Sequence, residues 1–411
     1  MKVERLKERL RLRDVKLKSL LEISRSINNN LSTVDLVGEF QSVLEHQLSI
    51  PRAVLFTRIG EQWLCSMQYG LDFDLSGENV PERFEELADI KLLQSDVDGA
   101  LRFFDIIIPV HHQNRPLAYL LIGDTDSEDF DVSPIIKHMR FIQTLANLIT
   151  VAIENKSLAE KSLEQERIKT ELDLAAEMQN LLIGSNKQRA FEHYDVASFY
   201  RPHMKIGGDF FDFVELENGD AFFCVADVSG KGVSAAFLMA TLQSHLRALI
   251  MHTKWDLKSL VANLNCKILD TVDGDRFVTI FLGHFDRSEG MLHYVNAGHN
   301  PPVFFDGSTS LLLQEGTVGV GMLKQLPFVH AGKVSAKSGD IVVCYTDGVV
   351  EIENEAGEEY GYEGVKEWAA QAYRDHIPMN DLLAGIIADL DRFRGKNDYF
   401  DDTALLCCKF R

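Results

Sequence analysis

GGDFFD at residues 207–212 and DVSGKG at residues 227–232 are the two stretches that decide the fold of the C-terminal half of this chain. Both place aspartate and glycine directly beside apolar runs, where a buried strand meets a permissive turn. Two later stretches have the same character, TDGV at residues 346–349 and DDT at residues 401–403. The four together predict strands whose acidic ends converge.

Converging carboxylates need a cation between them. Two carboxylates about 4 Å apart repel by about 4 kcal/mol at an effective dielectric constant of about 20. Ligands that are oxygen only favour a hard ion, Mg²⁺ or Mn²⁺, over zinc. Because aspartate and glycine are also the commonest turn residues, each motif taken singly is better explained as a plain loop.

The four motifs in this order resemble the PPM superfamily of metal-dependent protein phosphatases, in its bacterial SpoIIE- and RsbU-like branch. The resemblance covers about residues 168–411 and is carried by GGDFFD followed by DVSGKG. Residues 171–182 look like the entry helix of that family, and AGHNPP at residues 297–302 looks like its Gly-His-Asn-Pro turn. The fold that this resemblance implies is a β-sandwich flanked by helices.

The resemblance also implies a site for two Mn²⁺ or Mg²⁺ ions. Asp227 would bridge the ions, and a water between them, with a lowered pKa, would attack the phosphorus atom in line. No covalent enzyme intermediate is then needed, and the carboxylates act through this water. The implied ligands are the carboxylates of Asp209, Asp227, Asp347 and Asp401 and the backbone carbonyl of Val228, with Asp402 as the alternative to Asp401.

Two further polar residues in the motifs have less specific roles. We expect Asp212 to be a surface residue at a strand end rather than part of the site. His299 is a possible general acid, but its glycine and proline neighbours favour a side chain that stabilises the turn. A nucleotide P-loop is excluded, because residue 226 is alanine and the glycine of the Lys231-Gly232 pair follows the lysine.

The first part of the chain has a different pattern. Apolar residues recur three and four apart between residues 17 and 48, with a break near residues 28–30 and a Ser/Thr cap at 32–33, so two helices are predicted. Short apolar or alternating runs predict strands at 53–58, 62–67, 103–110 and 116–122, and a closing helix is predicted from 133 to 153.

This arrangement resembles the GAF family of small-molecule sensory domains over residues 18–155. Members bind cyclic nucleotides, tetrapyrroles or other small ligands, or serve only as dimerisation units. Nothing in the sequence selects among these ligands. Cys65 and the histidine pair at 111–112 are explained as well by strand and surface positions as by a ligand site.

The helical pattern continues from 154 to 182 without proline or glycine. Its apolar spacing changes phase between Leu163 and Ile168, which suits a coiled coil with two registers or a helix packed on its own domain. We expect this connector to form a homodimer. In the C-terminal part, strands are predicted at 221–226, 277–285, 291–296, 341–345 and 404–410, and helices at 233–251 and 257–271.

A chain of 411 residues exceeds the size of one ordinary hydrophobic core, so we predict two domains and a connector in an α+β protein. The predicted parts are a basic N-terminal helix at 1–17, a GAF-like α/β sensory domain at 18–155, a helical linker at 156–185 and a phosphatase domain at 186–411.

Composition excludes several classes of protein. A formal net charge of -20 argues against nucleic-acid binding, and it also disfavours a metal-dependent nuclease. We find neither a signal peptide nor an apolar run of ~18 residues, so no transmembrane segment is predicted and a cytoplasmic location is expected. The six cysteines show no CxxC spacing, which predicts reduced, mostly buried thiols.

The sequence therefore predicts a metal-dependent phosphoserine or phosphothreonine phosphatase regulated by an N-terminal sensory domain. By resemblance, its phosphoprotein substrate would be an anti-sigma-factor antagonist. The alternative is a catalytically silent sensor or scaffold that binds a small molecule through residues 18–155 and a partner through the phosphatase-like domain. Metal-dependent hydrolysis of a phosphoester would separate the two.

Overall fold

The chain forms two compact units, residues 1–167 and 168–411, in a computed structural model. The structure describes residues 2–76, 81–84, 87–93, 99–112, 115–123, 134–183, 191–252, 256–272 and 276–411. The predicted start of the closing helix at 133 and the predicted boundary at 185/186 lie outside these residues.

The first unit contains a five-stranded antiparallel sheet in the order β2-β1-β5-β4-β3. Its strands are β1 Arg52–Ile59, β2 Gln62–Tyr69, β3 Lys91–Leu92, β4 Ile106–His112 and β5 Arg115–Gly123. Its helices are α1 Lys2–Asn28, α2 Thr33–Ser42 with a π-helical turn at Val43–Gln47, and α3 Pro134–Ile183, which extends beyond residue 167; short 3-10 helices cover Pro81–Phe84 and Gly99–Phe103.

Both faces of this sheet are covered by apolar side chains. One face packs against the three helices, through residues such as Leu120 of β5 and Ile149 of α3. The other face packs against loop residues, with Tyr119 and Phe104 in its core. Strands covered on both faces are expected to be almost continuously apolar rather than alternating. Strands β1, β4 and β5 have this continuous apolar character.

The helix boundaries of the first unit follow local sequence signals. The Ser32 hydroxyl accepts a hydrogen bond from the amide of Asp35 at 3.1 Å, which is the N-cap predicted for α2. Helix α1 is continuous from Lys2 to Asn28, so it crosses the predicted division at 17/18. Helix α3 covers the predicted closing helix and most of the predicted linker without a break.

The second unit is a sandwich of two sheets. Its strands are β6 Tyr194–Arg201, β7 Phe210–Glu215, β8 Ala221–Val228, β9 Val278–Asp286, β10 Met291–Ala297, β11 Val303–Phe305, β12 Ser310–Leu312, β13 Gly316–Thr317, β14 Gly332–Ser335, β15 Ile341–Tyr345 and β16 Thr403–Phe410. Its other helices are α4 Val233–His252, α5 Leu257–Val272, α6 Asp347–Val350, α7 Glu363–Arg374 and α8 Met379–Arg394. The sheet orders are β13-β10-β9-β8-β7, with β14 also on β10, and β12-β11-β15-β16-β6.

Strand β16 shows how the layers are built. Leu406 and Phe410 lie in the core shared by the two sheets, whereas Leu405 lies in the core beneath α7 and α8. Helices α4 and α5 pack on strands of the other sheet. The predicted β-sandwich flanked by helices is therefore confirmed for this unit, although the sequence analysis did not predict α7 and α8.

One described helix, Val233–Met251, is long and apolar enough to cross a membrane, which the sequence analysis did not anticipate. Its side chains Leu238, Leu242 and Leu246 are buried in the core of the second unit. Because a core helix passes the same test of length and composition, this is weak evidence for a membrane span.

Candidate metal centre

The second unit brings the predicted acidic residues to one edge of the sandwich. Asp227 lies near the end of β8, and Asp209 precedes β7, whose first residue pairs with Ala226. In the other sheet Asp347 follows β15 and Asp401 precedes β16, and these two strands are also paired. We call Asp209, Asp227, Asp347, Asp401 and Asp402 the acidic cluster.

Burial and mutual repulsion raise the pKa values of three of these carboxyls. Asp209 is 1% exposed, and burial, followed by the charges of Asp227 and Asp402, raises its pKa well above the ordinary value. Burial also raises the pKa of Asp227, against a hydrogen bond with Asp209. The pKa of Asp347 is raised to about 7, mainly by burial and then by Asp227 and Asp401. The metal-free fold therefore disfavours the charged forms of Asp209, Asp227 and Asp347.

The environment of Asp209 fits a bound cation. Its side chain is hydrogen-bonded to that of Thr346. Its Oδ2 atom is buried, and no hydrogen-bond partner for it lies among the described residues. A buried carboxylate oxygen without a donor is costly, and a bound cation would remove that cost. The all-oxygen donor set of the cluster fits Mg²⁺ or Mn²⁺.

Asp401 and Asp402 have different surroundings. The carboxylate of Asp402 accepts hydrogen bonds from the amides of His203 at 2.8 Å and Gly208 at 2.7 Å. The carboxylate of Asp401 is 42% exposed and forms an ion pair with Lys231 at 2.8 Å. Asp402 is thus placed as an anchor for the 203–208 loop, which leaves Asp401 as the better ligand candidate.

As the side chains stand, no three His, Cys, Asp or Glu residues in the described ranges form a group that could hold a metal ion. The carboxylate of Asp402 is hydrogen-bonded to backbone amides, and that of Asp401 is hydrogen-bonded to Lys231. Of the predicted set, Asp401 is the residue whose carboxylate is shared with a cationic side chain.

The two glycines of GGDFFD are required by close packing. A Cβ atom on Gly207 would overlap the carboxylate of Asp402, and one on Gly208 would lie 2.8 Å from the carbonyl oxygen of Val228. The predicted ligand carbonyl of Val228 is therefore held directly against the loop that carries Asp209. Any larger residue would separate the two.

The prediction that Asp212 is a surface residue was wrong. It is 5% exposed, and its carboxylate accepts hydrogen bonds from Arg247 Nε at 2.5 Å and Nη2 at 2.7 Å. The reason is its place inside β7, opposite Cys224 and beneath α4. Asp212 forms a structural ion pair outside the acidic cluster.

His299 is buried and held on both ring nitrogens. Its Nδ1 atom lies 2.9 Å from the Thr279 hydroxyl and its Nε2 atom 3.1 Å from the carbonyl oxygen of Tyr345. Burial lowers its pKa to about 4, so the ring is neutral at pH 7, with Nε2 donating to the carbonyl and Nδ1 accepting from the hydroxyl. This environment agrees with the predicted structural role.

Two residues that the sequence analysis did not single out hold the site loops. Gln179 of α3 pairs with the backbone of Gly207, donating to its carbonyl at 2.7 Å and accepting from its amide at 3.1 Å. Arg276 donates to the Ser229 carbonyl and the Ser234 hydroxyl, both at 2.8 Å. Only the resemblance of α3 to an entry helix pointed towards Gln179, and no sequence signal pointed to Arg276.

The raised pKa of Asp347 predicts how pH affects the metal-free protein. Asp347 ionises near pH 4 when unfolded and near pH 7 when folded, so the folded state binds more protons between these values. Stability should therefore fall as pH rises through this window. We expect the midpoint of thermal unfolding in chelator to fall by roughly 2 to 5 °C between pH 5 and pH 8.

The matched control is Asp347→Asn, which cannot ionise and should show a shallower dependence. Adding Mn²⁺ at pH 8 should raise the midpoint of the unaltered protein. A midpoint that rises between pH 5 and pH 8 in chelator would contradict the prediction.

Sequence comparison identifies relatives of this chain. A profile of the family described as Stage II sporulation protein E (SpoIIE) matches residues 217–411. The phosphoserine phosphatase RsbU of Bacillus subtilis is 27% identical over 195 residues, which is 47% of this chain and 57% of that protein. The phosphoserine phosphatase RsbP of the same organism is 24% identical over 187 residues, 44% of this chain and 46% of that protein. The chain thus spans about half the length of these two relatives.

Structural comparison supports the fold. The PP2C domain of SiaA from Pseudomonas aeruginosa superposes with a TM-score of 0.53 at 19% identity, covering 60% of this chain and 99% of that domain. At this level of identity the likeness shows the fold alone. The second unit therefore has a PP2C-like fold.

Proposed function

We propose that this chain is a metal-dependent protein phosphatase that acts on phosphoserine or phosphothreonine. The observation that carries the proposal is the acidic cluster, in which the buried Asp209 has a carboxylate oxygen without a donor among the described residues. The cluster lies in a unit with a PP2C-like fold, and phosphoserine phosphatases are among its sequence relatives.

The ions would be held by the carboxylates of Asp209, Asp227, Asp347 and Asp401 and by the carbonyl of Val228. Bound there, two Mn²⁺ or Mg²⁺ ions would supply a water of lowered pKa and neutralise charge on the phosphoryl oxygens.

Other residues of the chain position the ligands. The Thr346 side chain is hydrogen-bonded to Asp209 and fixes its orientation. Asp402 and Gln179 hold the Gly207-Gly208 backbone from two sides. Arg276 holds the loop that follows Asp227. Such preorganisation keeps the reacting groups in place without a conformational cost during the reaction.

The substrate in this proposal is a phosphoprotein, and an anti-sigma-factor antagonist is the specific candidate. The support for a phosphoprotein comes from the relatives, which are phosphoserine phosphatases by name. The acidic surface of the chain, with a net charge of -20, disfavours nucleic acid as the substrate. A cytoplasmic location is part of the proposal, and its support is that the described apolar helix Val233–Met251 has buried core positions.

The first unit is proposed as a GAF-like sensory domain. Support comes from its five-stranded antiparallel sheet, with helices packed on one face and an aromatic core on the other. A small-molecule ligand is part of this proposal, and its chemical class stays open.

We also propose that the chain forms a homodimer through α3. Large apolar side chains are exposed along this helix, among them Leu163 at 67% and Ile168 at 50%. Leu174, Met178 and Leu181, also exposed, follow the i, i+4, i+7 spacing of a coiled-coil seam. Light scattering should give the mass of a dimer, and Met178→Glu together with Leu181→Glu should give that of a monomer.

The catalytic proposal is tested by hydrolysis of p-nitrophenyl phosphate and of a phosphoserine peptide by the full chain. Activity should be absent in chelator and return with Mn²⁺ or Mg²⁺. Circular dichroism should show a folded protein in chelator, because the cores of the second unit are built from apolar side chains rather than from the ligand carboxylates.

The alternative function, a catalytically silent sensor or scaffold, predicts no hydrolysis under any metal condition. The retained carboxylates of the cluster favour the enzyme. Hydrolysis that persists unchanged in chelator would exclude both functions as stated.

A further inference from the structure

Lys231 is the cation that faces the acidic cluster from the loop after β8. Its neighbours Gly230 and Gly232 have φ angles of +93° and +75°, values that favour glycine. The loop presents the lysine to the cluster, where its Nζ atom donates to Asp401 Oδ2 at 2.8 Å and to the carbonyl oxygen of Phe400 at 2.9 Å.

Both carboxylate oxygens of Asp401 already have partners. Oδ1 accepts a hydrogen bond from the amide of Asp402 at 2.8 Å, and Oδ2 carries the ion pair with Lys231. A divalent ion that bound Oδ2 would share this oxygen with an ammonium group. Because like charges at such separations repel, the two cations exclude each other.

We propose that Lys231 occupies the place of a metal ion on Asp401 and has to leave before Asp401 can ligate that ion. This inference rests on the proposed function.

The competition should be moderate. Lys231 is 49% exposed and Asp401 42%, and an ion pair with this exposure is weak. Lys231 therefore lowers the affinity for the ion on Asp401 without preventing its binding. The ion held mainly by the buried Asp209 and the half-buried Asp227 should be affected much less.

The experiment is calorimetric titration of the metal-free full chain with Mn²⁺, comparing four proteins. Lys231→Met removes the charge and keeps most of the side-chain stem, whereas Lys231→Arg keeps a cation. Lys333→Met, at an exposed position of β14, is the matched control for loss of a lysine charge.

We expect Lys231→Met to bind one Mn²⁺ ion more tightly by about threefold or more, in line with loss of a weak competing ion pair. Lys231→Arg and Lys333→Met should bind as the unaltered chain does. Thermal unfolding in chelator shows whether each variant is folded, independently of activity.

Equal or weaker Mn²⁺ binding by folded Lys231→Met would overturn this inference and leave the proposed function standing. A raised KM for the phosphopeptide with unchanged Mn²⁺ binding would likewise overturn it, because Lys231 would then act on the substrate. No Mn²⁺ binding by the unaltered chain would overturn the proposed function and this inference together.

Discussion

Asp227→Asn is expected to lower phosphatase turnover by about 10³-fold or more, even with Mn²⁺ in excess. The amide keeps the shape of the side chain but loses the charge with which Asp227 would bridge two ions. Asp227 also interacts with Asp209, Asp347 and Asp401, so its loss removes the common member of the cluster. The measurement is kcat for a phosphoserine peptide.

Although Asp227→Asn should lower turnover, it should not lower the thermal stability of the metal-free protein. Burial raises the pKa of Asp227, so the metal-free fold disfavours its charged form, and the neutral amide removes this penalty. We expect an unfolding midpoint equal to or above that of the unaltered chain. Asp375→Asn, on the exposed surface after α7, is the control and should change neither quantity. Near-normal turnover by Asp227→Asn would refute the assignment of the metal centre.

Gly348→Ala should have the second largest effect, a loss of activity of about 10²-fold with destabilisation of about 2 to 3 kcal/mol. A Cβ atom at Gly348 would overlap the carbonyl oxygen of Asp402. Because the obstructing atom belongs to the backbone, the strand ends that carry Asp347 and Asp401 have to move apart. Activity and chemical denaturation measure the two effects.

Gly38→Ala is the control for this substitution. Gly38 lies in α2, where an added Cβ atom meets nothing within 4 Å among the described residues, so alanine should be neutral or stabilising. Gly348→Ala with normal activity would show that the backbone approach between residues 348 and 402 is not needed by the site.

Elements with continuous apolar character were predictable from the sequence. The predicted strand 341–345 is confirmed with both bounds. The predicted strand 221–226 is two residues shorter than the observed strand, which also includes Asp227 and Val228. Helix 257–271 is one residue shorter than observed. These segments are buried, so hydrophobic pattern and secondary structure agree.

Helices α7 and α8 show two different reasons for a missed element. The buried positions of α7 are Val365, Ala369 and Ala372, and the small alanines make a weak apolar stripe. Helix α8 buries Leu382, Ile386 and Leu390, which have helical spacing, so its signal was present in the sequence.

The roles of individual carboxylates depend on distant partners, which a local pattern cannot supply. Asp212 pairs with Arg247, and Asp401 with Lys231, only because the fold brings separate elements into contact. Asp402 differs from its neighbour Asp401 because the amides that it binds lie 194 and 199 positions away. The sequence predicted that the acidic residues would lie close together. Only the three-dimensional arrangement shows which carboxylates are hydrogen-bonded or ion-paired to other residues of the chain.

The pairing of β16 with β6 has a consequence for synthesis on the ribosome. Residues 403–410 complete the sheet between β15 and β6, and Asp402 anchors the loop that carries Gly208. At about 5 to 20 residues per second, some 200 residues separate these partners by roughly 10 to 40 s. During that interval β6 lacks its neighbour β16, as does β15 once it has been synthesised, and unpaired strand edges attract other chains. We therefore expect the nascent chain to be prone to association until β16 has emerged.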